Sequence, residues 1–302
     1  MPKFDLLNAT RTIEHSMPFV LYRFMVYLGL AMAYLFAALA GAGTFVAFAS
    51  FTKNPSSVAS LGALLGLAGC GYLVYKFRSS LLFNLKVGQL ALLGEQAKGS
   101  KLPEGKAQIE FAKQTAAASL TPALFHEIGE ATATVAREMA KTSPALRAPA
   151  DNQALSLACG AVAAHATQAV LVNHFRHADG NAWRAAETGL LQMQRHFKLL
   201  FSFELYALAF EYIGLLIAFI AMIYPANWVA SSLPVDVGWW RYVFALIFAW
   251  SIKGAFFAPI ATTAMAHALL SLPDLSEPET ANLRSELELQ VPAFRELCAK
   301  AS

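Results

Sequence analysis

Charge is what this chain lacks. Only 14% of its 302 residues are Asp, Glu, Lys or Arg, where a soluble domain carries roughly 25%. Hydrophobic residues make up 57% and the mean hydropathy is +0.46. A solvated monomer would have too few charges to cover its surface, and a disordered or nucleic-acid-binding chain needs a different composition. Cysteine is scarce too. Cys70, Cys159 and Cys298 lie far apart, so no pair has metal-ligand spacing and no disulfide framework is encoded. Strand-type alternation is absent. What remains reads as an all-α, polytopic membrane protein.

A spanning helix needs about 20 mostly apolar residues. Residues 24–51 qualify without a charge, and 58–75 are shorter but equally uncharged. The turn between them, with Asn54, Pro55, Ser56 and Ser57, makes a first hairpin. A second runs through 199–224 and 239–270, and its connection, 225–238, holds no Lys or Arg. Four transmembrane helices in two hairpins are therefore expected. The first 23 residues mix Lys3, Arg11 and Arg23 with Asp5 and Glu14, and the apolar run behind them is too long for a signal peptide's core. No cleavable signal is expected.

The basic residues orient the chain. Lys76, Arg78, Lys86, Lys98, Lys101 and Lys106 follow the second span. Arg176, Arg184, Arg195 and Lys198 precede the third, and Arg284, Arg295 and Lys300 follow the fourth. The hairpin tips offer only Lys53 and Arg241. This places both termini and the long middle segment in the cytoplasm, under an inner (plasma) membrane. The expected organisation is a first hairpin in 1–77, a cytoplasmic or interfacial helical region in 78–197, a second hairpin in 198–271 and a cytoplasmic tail in 272–302.

Residues 153–172 are Ala-rich and contain His165 and Gln168. A span there would put four basic residues outside, so an amphipathic or re-entrant helix is expected. Residues 79–93 are apolar but short and carry Lys86, which predicts an interfacial position. Elsewhere in the middle region helical periodicity is plain. Thr121-Pro122 has the form of an N-cap with proline at the first helical position. Leu124, Ile128, Val135 and Met139 then recur on one face, and Pro144 closes the run. Trp183, Ala186, Leu190, Met193 and Phe197 make a second stripe. Ser276 and Glu279 have capping-box spacing, and Pro292 limits the helix they begin.

Gly62 and Gly66, with Gly41 and Gly43 in the first span, allow helices to approach closely. They serve either packing within the first hairpin or a homo-oligomer interface. Charges at bilayer depth need a partner or a purpose. Glu204 and Glu211 are seven apart, hence on one helical face. Counted from the tip of the second hairpin, Glu211 and Lys253 sit at equal depth, which predicts an ion pair. Such a pair is either a proton or solute site or a clasp that fixes the hairpin's register. Pro259 should kink the fourth span and free a carbonyl nearby. Glu204 and His267 lie nearer the cytoplasmic end.

His126 and Glu130 are one turn apart without a third ligand, and His174, His177 and Asp179 could meet at a helix end. Neither set completes a metal site, and no metal or other cofactor is expected. Nucleophile elbow, P-loop and dinucleotide fingerprint are all lacking, so an enzyme is not expected.

The stretch Gly99-Ser100-Lys101-Leu102-Pro103-Glu104-Gly105-Lys106-Ala107-Gln108-Ile109 resembles a segment of bacterial integral membrane proteins of unassigned function. So do Ala249-Trp250-Ser251-Ile252-Lys253-Gly254-Ala255-Phe256 and the tail's Phe294-Arg295-Glu296-Leu297. Over roughly 180–270 the organisation is also similar to the choline-transporter-like family, with a polar stretch, an aromatic-rich span, a loop and a final span. That family has more spans and a large extracellular loop, from which this chain departs, so no binding residues carry over.

Three functions remain open. A transport or permeation component would use Glu204, Glu211, Lys253 and the Pro259 kink and would need oligomers. A scaffold or accessory subunit would present the middle helices to a cytoplasmic protein partner. A lipid binder would use Lys98, Lys101 and Lys106 near anionic headgroups.

Overall fold

The structure is a computed structural model and describes residues 4–48, 55–142, 168, 170–176, 181–232 and 238–301. The described residues form helices and no strand. In chain order these are α1 (Leu6–Glu14), α2 (Met17–Phe48), α3 (Pro55–Leu81), α4 (Phe83–Ala97), α5 (Lys106–Ser119) and α6 (Pro122–Thr142). After them come α7 (170–176), α8 (Ala182–Arg195), α9 (Phe197–Ser231) and α10 (Trp240–Ile252). A π-helical turn, Lys253–Phe257, joins α10 to α11 (Ala258–Leu270), and α12 (Glu277–Gln290) and α13 (Pro292–Ala301) follow.

Four stretches are long and apolar enough to cross a membrane: Met17–Phe48, Ser57–Arg78, Phe197–Ser231 and Trp240–Leu270. Their number and order agree with the hydropathy reading, but boundaries move, the second span running on through Lys76 to Arg78. The first span starts before Arg23 because Met17–Tyr22 is itself apolar. The third continues through Pro225 to Ser231.

The helices assemble into two compact units that do not follow chain order. One comprises Met1–Phe19, Phe83–Glu211 and Ala258–Ser302; the other comprises Val20–Leu82 and Tyr212–Phe257.

The core of the first unit is built on α4. Phe83, Leu85, Val87 and Leu90–Leu93 are all buried, as expected for a helix apolar on every side. Of the stretch 79–93, expected to be interfacial rather than spanning, residues 83–93 belong to α4 and are largely buried within this unit. α5 packs on α4, and the same core holds the inward stripes of α6 (Ile128, Val135, Met139) and α8 (Ala186, Leu190, Met193), on which Phe294 and Leu297 of α13 sit. Each large side chain buried this way contributes about 1.5–3 kcal/mol. Of the stretch 153–172, residues 153–167 lie outside the described residues, and Val170, Leu171 and Val172 are buried in this core. Pro144, His177, Asp179 and the first hairpin's turn at 51–54 also lie outside.

Side chains stop and start these helices. Thr121 Oγ1 accepts from Leu124 N at 3.2 Å, the cap predicted for α6. Asn181 Oδ1 accepts from Trp183 N and Arg184 N and opens α8. The Glu279 carboxylate accepts from the backbone N and hydroxyl of Ser276 at the head of α12. Between α4 and α5 the chain turns at Gly99 (φ +77°) and Gly105 (φ +58°), where a side chain would be strained. Gln108, 1% exposed, fastens that turn. Its Nε2 donates to the carbonyls of Pro103 (3.1 Å) and His15 (3.0 Å), and its Oε1 accepts from Phe19 N.

The second unit shows many large apolar side chains at its surface, among them Phe36, Phe48, Tyr72, Leu216 and Trp228. That is the surface a lipid-facing bundle presents and a soluble domain avoids. Inside, α2 and α3 meet through glycine. A Cβ on Gly62 would run into the Gly41 carbonyl, and one on Gly66 into the Ala37 carbonyl. Gly41, Gly62 and Gly66 therefore serve the packing within the first hairpin. Trp240 of α10 packs on Ala38 and Ala63, and its indole N–H donates to Ser60 Oγ at 3.1 Å.

Candidate functional site

Two carboxylates mark the interior of the first unit. Glu204 and Glu211 stand two turns apart on α9, and both are buried, at 0% and 1% exposed. A carboxylate has a high cost of burial even in a soluble core, and more in a spanning helix. The polar groups of this unit extend along α4 and α11. Gln89, Thr262 and Thr263 are buried. The Pro259 carbonyl accepts from Thr263 Oγ1 at 2.8 Å and from Gln89 Nε2 at 3.2 Å. Thr262 Oγ1 donates to Gln168 Oε1 at 3.4 Å.

A π-turn stands just ahead of Pro259, where a kink was expected. With no N–H, proline cannot close the helical ladder behind it, and Lys253–Phe257 widens to π geometry just before it. Such turns are rare and concentrate at functional sites. In the second unit, Arg23 Nε donates to the carbonyl of Gly254 at 2.8 Å. Arg23 is 5% exposed, and its guanidinium lies 5.6 Å from the centre of the Tyr27 ring. Gly254 is itself required, because a Cβ there would come 2.8 Å from the Tyr27 ring. Ser251 Oγ donates to the Tyr27 carbonyl at 3.1 Å. The Lys253 ammonium lies 4.8 Å from the Tyr212 ring and 5.2 Å from Trp250, a favourable cation–π position.

Glu211 closes the first unit, and Lys253 belongs to the second. Of the basic residues considered for headgroups, Lys98 pairs with Glu95 at 2.6 Å and Lys106 starts α5. Lys101 alone of the three lines an open groove of about 880 Å3, together with His15, Gln96 and His267. His267 is held by Asn8 Nδ2 and Thr12 Oγ1 of α1. His126 and Glu130 approach to 3.4 Å on an exposed face, and His174 is buried.

Sequence reading missed Arg23, which it placed outside the first span as a flanking charge. The apolar residues Met17–Tyr22 before it were the available signal. It also missed Gln89, Thr262 and Thr263, because isolated amides and hydroxyls in apolar runs have no distinctive spacing. Compared with protein-family models, curated proteins and solved structures, the chain matches none.

Proposed function

We propose that this chain is a transport or permeation component of an inner membrane, passing protons or small cations by way of Glu204 and Glu211. The observation that carries the reading is the burial of both carboxylates on one face of a helix long and apolar enough to span. Ionisable groups at such depth mark ion and proton pathways. Glu204 and Glu211 would act as proton- or cation-exchanging stations. The Pro259 carbonyl and the hydroxyls of Thr262 and Thr263 would supply neutral oxygens. The distribution of Lys and Arg supports termini on the cytoplasmic side.

A scaffold would need apolar helix faces for its partner, yet the stripes of α6 and α8 are buried within their own unit. We therefore favour permeation. The test is water access. In a chain without Cys70, Cys159 and Cys298, a cysteine replacing Glu211 should react with a charged, membrane-impermeant thiol reagent. A cysteine at the lipid-facing Leu216 should not. Equal protection of both positions would refute the reading.

A further inference from the structure

The polar groups of α11 share one face. Pro259, Thr263 and His267 follow each other at intervals of four residues, a rise of about 6 Å each. The first two are buried, and Thr263 donates to the Pro259 carbonyl. Of residues 261–269, His267 alone is not buried. It lines the open groove of about 880 Å3 that α1 and the turn between α4 and α5 also border. The face that carries the buried Pro259 carbonyl therefore ends, one turn beyond Thr263, in open space.

Both ring nitrogens of His267 meet α1, and their partners set the tautomer. Thr12 Oγ1 donates its own proton to the Asn8 carbonyl at 3.0 Å. Toward His267 Nε2, 3.4 Å away, it can only accept. Nε2 therefore carries the hydrogen, and Nδ1, 3.3 Å from Asn8 Nδ2, is the basic nitrogen. Asn8 is exposed, so its amide is free to turn and present Oδ1 to a protonated Nδ1. Asp5, at the head of α1, interacts with the ring through its charge. His15, Lys101 and Glu104 line the same groove. α8, also packed on α11, brings Arg184 to a separate cavity.

We infer that His267 is the cytoplasmic loading site of the permeation path, and that the ion loaded there is a proton. The inference rests on the permeation reading and on the orientation proposed with it. A hydronium ion in the groove gives its proton to Nδ1: one N–H bond forms and water remains. Release breaks that N–H bond and forms an O–H bond on the carboxylate of Glu204 or Glu211. A metal cation is poorly served at this mouth. Lys101 stands in the groove wall and repels it. Among the described residues no three His, Cys, Asp or Glu side chains gather to hold one.

The test uses the full chain in liposomes, with valinomycin to balance charge during proton flux and a protonophore in its place during potassium flux. The parent should carry protons and should carry potassium no faster than empty vesicles do. His267→Gln should slow proton flux about tenfold or more while melting as the parent does. Glutamine still bonds to Asn8 and Thr12 but takes no proton. A second readout does not depend on flux. In a chain without Cys70, Cys159 and Cys298, His267→Cys should react with a charged, membrane-impermeant thiol reagent added on the cytoplasmic side. Leu269→Cys, at a buried position, should not. Protection of His267→Cys, or parental proton flux in His267→Gln, would overturn the inference. Potassium flux without proton flux in the parent would overturn it too, and would leave the permeation reading standing. No flux of either ion in the parent would refute that reading and this inference with it.

Discussion

Arg23 on α2 donates from Nε to the carbonyl of Gly254, 2.8 Å away, at the point where the fourth span loosens into a π-turn. A helix ahead of a proline leaves carbonyls without their usual N–H donors, and in lipid no water can take their place. The arginine supplies a donor from a neighbouring helix. Its charge and the helical defect are thus two halves of one arrangement.

Arg23→Met should therefore destabilise the protein by about 1–3 kcal/mol, the cost of leaving a buried carbonyl unsatisfied. Reversible unfolding in detergent measures it. Gly254→Ala should be comparably harmful for a different reason, the collision of the new methyl with the Tyr27 ring. An Arg23→Met variant as stable as the parent would show that the contact contributes nothing.

The glycines of α3 separate into two kinds. Gly62→Ala places a methyl against the Gly41 carbonyl and should cost about 1–3 kcal/mol, because two backbones must part. Gly69 has nothing within 4 Å of the position a Cβ would take. Gly69→Ala should be neutral or stabilising by up to about 1 kcal/mol, from helix propensity alone. Unfolding measurements on the pair give the contrast directly.

Gln108 ties the 98–105 turn, through the Pro103 carbonyl, to the His15 carbonyl and Phe19 N. Gln108→Leu keeps the volume but takes the side-chain donor from the Pro103 and His15 carbonyls, at a cost of about 1–3 kcal/mol. Limited proteolysis should then cut within 98–105 faster than in the parent.

Cys298 gives the stability a signature at high pH. Burial first, and the Glu187 carboxylate second, push its thiol up to about 12. In the unfolded chain it titrates at the ordinary thiol value, near about 8.5. The unfolded state therefore loses its proton first as pH rises. The contribution of Cys298 is full below about pH 8.5 and is lost progressively toward pH 12. Thermal unfolding between pH 8 and 11 should show a fall in melting temperature that Cys298→Ala reduces. The native thiol should also resist alkylation at neutral pH.

The spans were legible because a bilayer imposes one requirement, an apolar run of sufficient length, and nothing local competes with it. The caps at Thr121 and Ser276 were legible for a similar reason, since each bond closes within three residues. The inward stripes of α6 and α8 followed from helical periodicity. The burial of residues 83–93 inside their own unit was not legible, because an apolar helix looks the same whether lipid or protein surrounds it. Arg23 and Gln89 act on Gly254 and Pro259, more than 150 residues away, and no local pattern encodes such a partner. The carboxylates Glu204 and Glu211 stood out in the sequence because a charge in a span is conspicuous wherever it points.

The central claim is that those two carboxylates carry ions, and the direct measurement is flux. The full chain in liposomes, under an imposed proton or potassium gradient, should dissipate the gradient faster than empty vesicles. Glu204→Gln and Glu211→Gln, which preserve shape and remove the charge, should each reduce that rate at least tenfold while melting no lower than the parent. Flux at parental rates in both variants, or none above empty vesicles in the parent, would contradict the account.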